Sequence, residues 1–99
     1  ADLYQFPTLA IAEGALTQEN KLQSMGISSA VLVATLDEVR ASYTRYVERL
    51  YGQIWETDAM VEVEGHAWIA LEKLDELPFS SGHRRVAHLA KRYQLALME

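Results

Sequence analysis

Apolar side chains between residues 32 and 54 fall at Leu32, Leu36, Val39, Tyr43, Val47, Leu50 and Ile54, with spacings of 4, 3, 4, 4, 3 and 4. Such spacing keeps one face of an α-helix apolar, whereas a half-buried strand alternates every second residue. The pattern predicts one long amphipathic helix over about residues 29–56, started by Ser28 or Ser29, or by the capping-box run Thr35-Leu36-Asp37-Glu38. One run reads differently. Ala30-Val31-Leu32-Val33 is rich in β-branched side chains and suits a short strand ahead of a helix beginning at Thr35.

The flanking segments read as shorter helices. Phe6-Pro7-Thr8 marks a helix start, because proline fits a first turn, and Gly14 marks its end. Thr17 is placed to cap a helix over residues 18–25, with Gly26 taking the left-handed position that closes it. Val61-Glu62-Val63-Glu64 alternates like a strand but is too short to displace a continued helix, and Gly65 breaks the chain. Helical spacing returns at Ala67, Trp68, Leu71, Leu74 and Leu77, up to Pro78. Ser80 or Ser81 then caps a last helix with Val86, Leu89, Ala90, Tyr93 and Leu97 inward. The sum is an all-α fold: a single small helical domain over residues 1–99, built on the long helix.

At about 100° per residue, Tyr43, Tyr46, Val47, Leu50, Tyr51, Ile54 and Trp55 cover about half the circumference of that helix. A surface helix needs a stripe only a little wider than about 100°. Length adds to the argument. From residue 35 to residue 56 the helix would run about 33 Å, as long as a compact chain of this size is wide, on the order of 34 Å. The remaining short helices can cover one flank, which leaves the other to a second molecule. These seven residues are therefore the expected partner-binding surface, and a homodimer is expected. Tyrosine and tryptophan suit that role because they bury large area while keeping a polar tip.

Charge narrows the partner. Residues 1–82 carry thirteen acids against five Lys and Arg, while residues 83–99 carry Arg84, Arg85, Lys91 and Arg92 against Glu99, within a net charge of -5. An acidic body repels nucleic acid and anionic membranes and favours a protein partner. The basic residues of the last helix are expected to face the acidic residues Glu56, Asp58, Glu62, Glu64, Glu72, Asp75 and Glu76. With 49% hydrophobic residues the chain can bury a core, yet no run of about 18 apolar residues suggests a membrane span. The absence of cysteine fits a reducing compartment, so the cytoplasm is expected.

Leu22-Gln23-Ser24-Met25-Gly26-Ile27-Ser28, followed by Leu32 and Leu36, resembles the turn of helix-turn-helix DNA-binding regulators. The resemblance covers about 20 residues. It implies a reading helix starting at Ser29-Ala30-Val31-Leu32-Val33-Ala34, which lacks the Arg, Lys, Asn or Gln that contact bases. Other chemistry is thin. His66, His83 and His88 have no i, i+4 spacing among themselves, so neither a metal nor another cofactor is expected. No nucleophile-base arrangement or Gly-rich phosphate loop appears, and no enzymatic activity is expected. The reading is a protein-protein interaction module, of the kind bacterial antiactivators use to capture a transcription regulator and block its dimerisation or DNA binding. A helix-turn-helix transcriptional regulator is the alternative.

Overall fold

The computed structural model describes residues 3–8 and 18–97. Its elements are α1 (Gln18–Ser24), β1 (Val31–Ser42), β2 (Val47–Glu56), a 3-10 helix (Leu71–Glu76) and α2 (Ser81–Leu97). The arrangement is α+β, not all-α. The segment expected to form a long helix over about residues 29–56 is instead an antiparallel hairpin, with Val39 opposite Leu50 and Ala41 opposite Glu48.

Small inward residues and bulging of β1 gave this hairpin a helical spacing. Inward positions on β2 run Leu50, Gly52, Ile54, and on β1 Val39 is followed by Ala41, so small residues at alternate inward sites turn a period of two into apparent steps of four. The step of three between Leu36 and Val39 comes from a bulge: β1 is shifted by one residue between Leu32 and Ala34, and again between Thr35 and Glu38. Twelve residues on β1 thereby match ten on β2. Bulges bend and twist a strand, which lets a two-stranded sheet wrap a helix. β-Branched and aromatic residues, Val31, Val33, Thr35, Val39, Val47, Tyr51, Ile54 and Trp55, supply the strand preference that periodicity masked. Only the first of these runs, Val31 to Val33, had been open to a strand reading.

α2 packs across one face of the hairpin. Val39, Leu50 and Val86 form the core, with Phe6, Leu36 and Leu89 against it. Close approach requires glycine: a Cβ on Gly82 would lie 2.9 Å from Leu50 Cδ1 and 3.2 Å from Ala41 Cβ, and one on Gly52 would lie 3.1 Å from both Leu36 Cδ1 and Val86 Cγ1. Of the expected inner face of the last helix, Val86 is buried, Leu89, Ala90 and Tyr93 are half-buried, and Leu97 is exposed. His83 and Ala87 join the buried side.

Elsewhere the outcome is mixed. α1 ends as expected: Ile27 N–H donates to Leu22 O at 2.9 Å and Gly26 N–H to Gln23 O at 3.0 Å, with Gly26 at φ 88°. This is the six-to-one and five-to-two closure of a helix by a left-handed glycine. Thr17, the expected cap, and the stretch up to Gly14 lie outside the described residues. Residues 6–8 are not helical; Tyr4 bridges to Phe79 and its amide donates to Pro78 O at 2.8 Å. Residues 61–64 form neither helix nor strand, and the expected helix up to Pro78 is reduced to the 3-10 turn that buries Leu74. Arg84 fixes that turn from α2, donating to Leu74 O at 3.1 Å and to Leu77 O, with its guanidinium 5.4 Å from the centre of the Phe79 ring. Among the described residues no helix is long and apolar enough to cross a membrane.

Candidate interaction surface

Because side chains alternate along a strand, the register divides the hairpin residues into two rows. Inward lie Val39, Ala41, Leu50 and Gly52, under α2. Outward lie Glu38, Arg40 and Ser42 on β1, opposite Tyr51, Arg49 and Val47 on β2. α2 covers the first row and leaves the second bare, with Val47 47% and Tyr51 46% exposed.

The tip is built by residues 43–46. Tyr43 N–H donates to Tyr46 O at 2.8 Å, closing a four-residue loop that needs no left-handed residue. The two rings stack at 4.8 Å between centroids, which helps to order the tip. Tyr46 is 61% exposed. Tyr43 is half-buried, and its hydroxyl donates to Glu48 Oε1 at 3.3 Å. Glu48 faces the start of α2, whose first turn has no acid of its own, so the carboxylate complements the positive end of that helix.

The seven residues expected to bind a partner thus separate. Val47 and Tyr51 share the open side, and Tyr46 stands exposed at the tip, stacked on Tyr43. Tyr43, Ile54 and Trp55 are half-buried, and Trp55 Nε1 donates to Gln53 Oε1 at 3.0 Å. Leu50 is a core residue at 9% exposure, so its assignment to the partner surface is corrected: the single arc that joined it to the tyrosines on a helix becomes two opposite faces of a strand. Arg40, Arg45 and Arg49 are exposed members of the hairpin that the expected helical arc did not include. Strand periodicity across Val47, Arg49 and Tyr51 was the signal that would have gathered them.

Comparison of the chain with protein-family models, with curated proteins and with solved structures finds no match.

Electrostatics separate the open face from the rest. Tyr51 donates to Glu38 Oε2 at 2.8 Å, and this hydrogen bond is the first reason that its phenol titrates above the usual value. The expected contact of basic helix with acidic stretch is made at one point: Lys91 bonds Asp75, and His88 Nε2 lies 4.0 Å from Asp75 Oδ1. The Lys91 hydrogen bond holds the Asp75 carboxyl below its ordinary range. Arg84 and Arg85 instead serve backbone carbonyls, Arg85 that of Arg40.

The three histidines have separate surroundings. His66 Nδ1 lies 3.0 Å from Glu64 O, His88 beside Asp75, and His83 is buried under Phe6. Among the described residues no group of three His, Cys, Asp or Glu is placed to hold a metal ion. The surface of the described residues also carries open clefts. One of about 190 Å³ between β1 and α2 brings Asp37 and Glu38 near Arg85 and His88, and one of about 380 Å³ is lined by Ser29, Val31, Val33, Glu56, Thr57 and Asp58.

Proposed function

We propose that this protein is a non-enzymatic interaction module which works by occupying a protein surface, and that the outer face and tip of the hairpin are its contact. The observation that carries the reading is the asymmetry of one sheet: Leu50 is at 9% exposure, while its neighbours in the same hairpin, Tyr46, Val47 and Tyr51, stand at 61%, 47% and 46%. Exposed aromatics beside arginines match the composition of interface centres. A two-stranded sheet also gains from being extended, since it is marginal alone.

The mode of contact differs from helix-against-helix pairing. The antiactivator expectation rested on a long helix covering the dimerisation surface of a regulator, and a hairpin favours docking through strands and exposed side chains. Within this reading the partner is a regulatory protein or a second copy of the chain, met in a reducing, cytoplasmic setting. The helix-turn-helix alternative receives less support, because β1 occupies the stretch in which its reading helix would lie.

The test is a variant with Tyr46, Val47 and Tyr51 all changed to alanine. Its melting temperature should stay near that of the parent, because exposed positions contribute little to stability, while its solution mass at micromolar concentration falls or a defined partner complex is lost. An unchanged mass together with an unchanged complex would remove the hairpin face from the function.

A further inference from the structure

Arg40 and Arg49 sit directly opposite each other across the hairpin, both exposed, on the side that α2 leaves bare. Like charges in such a position destabilise a sheet. Among the described residues no acid is paired with either: the ion pairs are Lys73 with Glu76, and His88 and Lys91 with Asp75. Glu38, in the next outward position, takes the Tyr51 hydroxyl at 2.8 Å. Arg45 adds a third positive charge at the tip.

A charge on an open strand also keeps stray chains from pairing with it. That purpose accounts for one arginine. A glutamate at position 40 would guard the edge equally and neutralise Arg49 as well, so the doubled arginine points to an anion that comes from outside. The positive charge is local: of nine Lys and Arg against fourteen acids, setting these three aside leaves six against fourteen.

The geometry of β2 specifies the form of that anion. Among the described residues β2 pairs only with β1, so its second edge carries no strand. Its outward row reads Val47, Arg49, Tyr51: apolar, basic, aromatic, at strand spacing. We propose that this edge receives an extended segment of a partner protein whose outward row, at every second residue, places a carboxylate between apolar side chains, its backbone adding a third strand and the carboxylate meeting Arg49 and Arg40. Strand addition supplies affinity through the main chain, and alternate side chains supply the choice of sequence. A nucleic acid fits less well. Its continuous charge would meet Glu38 and the acidic body, and it offers no apolar counterpart to Val47.

This inference rests on the reading of the hairpin as a protein-docking face, and the experiment separates the two. Fluorescence anisotropy of labelled peptides of about eight residues, long enough for one strand, is measured with the full chain near physiological ionic strength. The peptides carry valine, a variable residue and valine at every second position along one face, with threonine between them, the variable residue being glutamate, glutamine or lysine, and a short DNA duplex is the fourth probe. The glutamate peptide should bind at least about tenfold more tightly than the lysine peptide. A chain carrying R40E and R49E should reverse that order while keeping its circular dichroism spectrum, and the milder R49Q should narrow it.

Equal binding of the glutamate and glutamine peptides, lost when Val47 and Tyr51 become alanine, would overturn the acidic specificity and leave the docking face standing. Failure of every peptide would overturn strand addition and leave the docking face to the triple alanine variant, whereas binding of the duplex alone with dependence on Arg40 and Arg49 would overturn both.

Discussion

The backbone amide of Phe6 donates a hydrogen bond to Nδ1 of His83 at 3.1 Å, across 77 residues of sequence. Nδ1 accepts, so this neutral ring carries its proton on Nε2, and a second proton on Nδ1 would break the bond. The Phe6 ring stacks on His83 at 5.8 Å and on Phe79 at 5.1 Å, making the imidazole one layer of an apolar pile. Burial holds the His83 pKa below its ordinary 6.5, and the carboxylate of Glu48 opposes the shift.

That arrangement fixes the sign of a pH effect. A histidine whose pKa is lowered in the folded state stabilises the fold fully above its unfolded value and progressively less as pH falls towards the folded value. Melting temperature should therefore be level above about pH 7 and start to fall below about pH 6.5. Replacing His83 by Gln should flatten this window. Asp75, held low by Lys91, contributes its own loss only as pH falls below its ordinary 3.8, so the two groups are separated in one titration. A melt that is equally stable at pH 7 and pH 5 would contradict the role given to His83.

Gly82 tests the packing of α2 on the hairpin. Alanine normally favours a helix over glycine by about 0.5–1 kcal/mol. Here a new Cβ meets Leu50 Cδ1, which can swing aside, and Ala41 Cβ, which cannot. G82A should gain nothing despite its helix propensity, and G82V should lose about 1–3 kcal/mol by overpacking. Urea unfolding of the two variants gives the comparison directly.

Arg84 is the link between α2 and the 3-10 turn. Its guanidinium reaches two carbonyls and lies over Phe79, a geometry that an ammonium group cannot reproduce. R84A should cost about 1.5–3 kcal/mol, the usual worth of hydrogen bonds to a charged group, with Leu74 O and Leu77 O each keeping one backbone donor, and R84K should recover less than half of it. Hydrogen exchange should show the loss first at the amide of Leu77, which bonds Leu74 O at 3.3 Å.

The parts of the fold that sequence made legible are those fixed by local chemistry. The close of α1 at Gly26 follows from a left-handed requirement that few other residues meet, and α2 follows from a regular amphipathic run after Ser80. The hairpin was hidden because its inward row contains Gly52 and Ala41. Where a strand buries glycine or alanine at every second inward site, the hydrophobic pattern loses its period of two and borrows that of a helix. The bulge near Asp37 shifted the phase once more. Of the candidate surface, Tyr46, Val47 and Tyr51 could be picked out as exposed aromatic and apolar residues in either geometry. Arg40 and Arg49 could not be seen as a pair, since their adjacency is created by the register of two strands and exists in no helix.

That register makes a sharp prediction about deletions. Thr35 pairs with Gln53 and Glu38 with Tyr51, so Leu36 and Asp37 together oppose Gly52. Deleting Asp37 closes the bulge and leaves every other partner in place, with Leu36 still inward. Deleting Arg40, three residues on, has no bulge to absorb it on the tip side. With Ala41 kept opposite Glu48, Val39 would move to the outer face opposite Arg49, and Glu38 would be driven inward against Leu50. The loss of Val39 burial alone is worth about 1.5–3 kcal/mol, and an unpaired carboxylate in the core adds to it. The first deletion should give a folded protein with a cooperative melt. The second should give a collapsed or unfolded chain with poor amide dispersion in a heteronuclear NMR spectrum. If both unfold alike, or both fold alike, the bulge is not where the strand register places it.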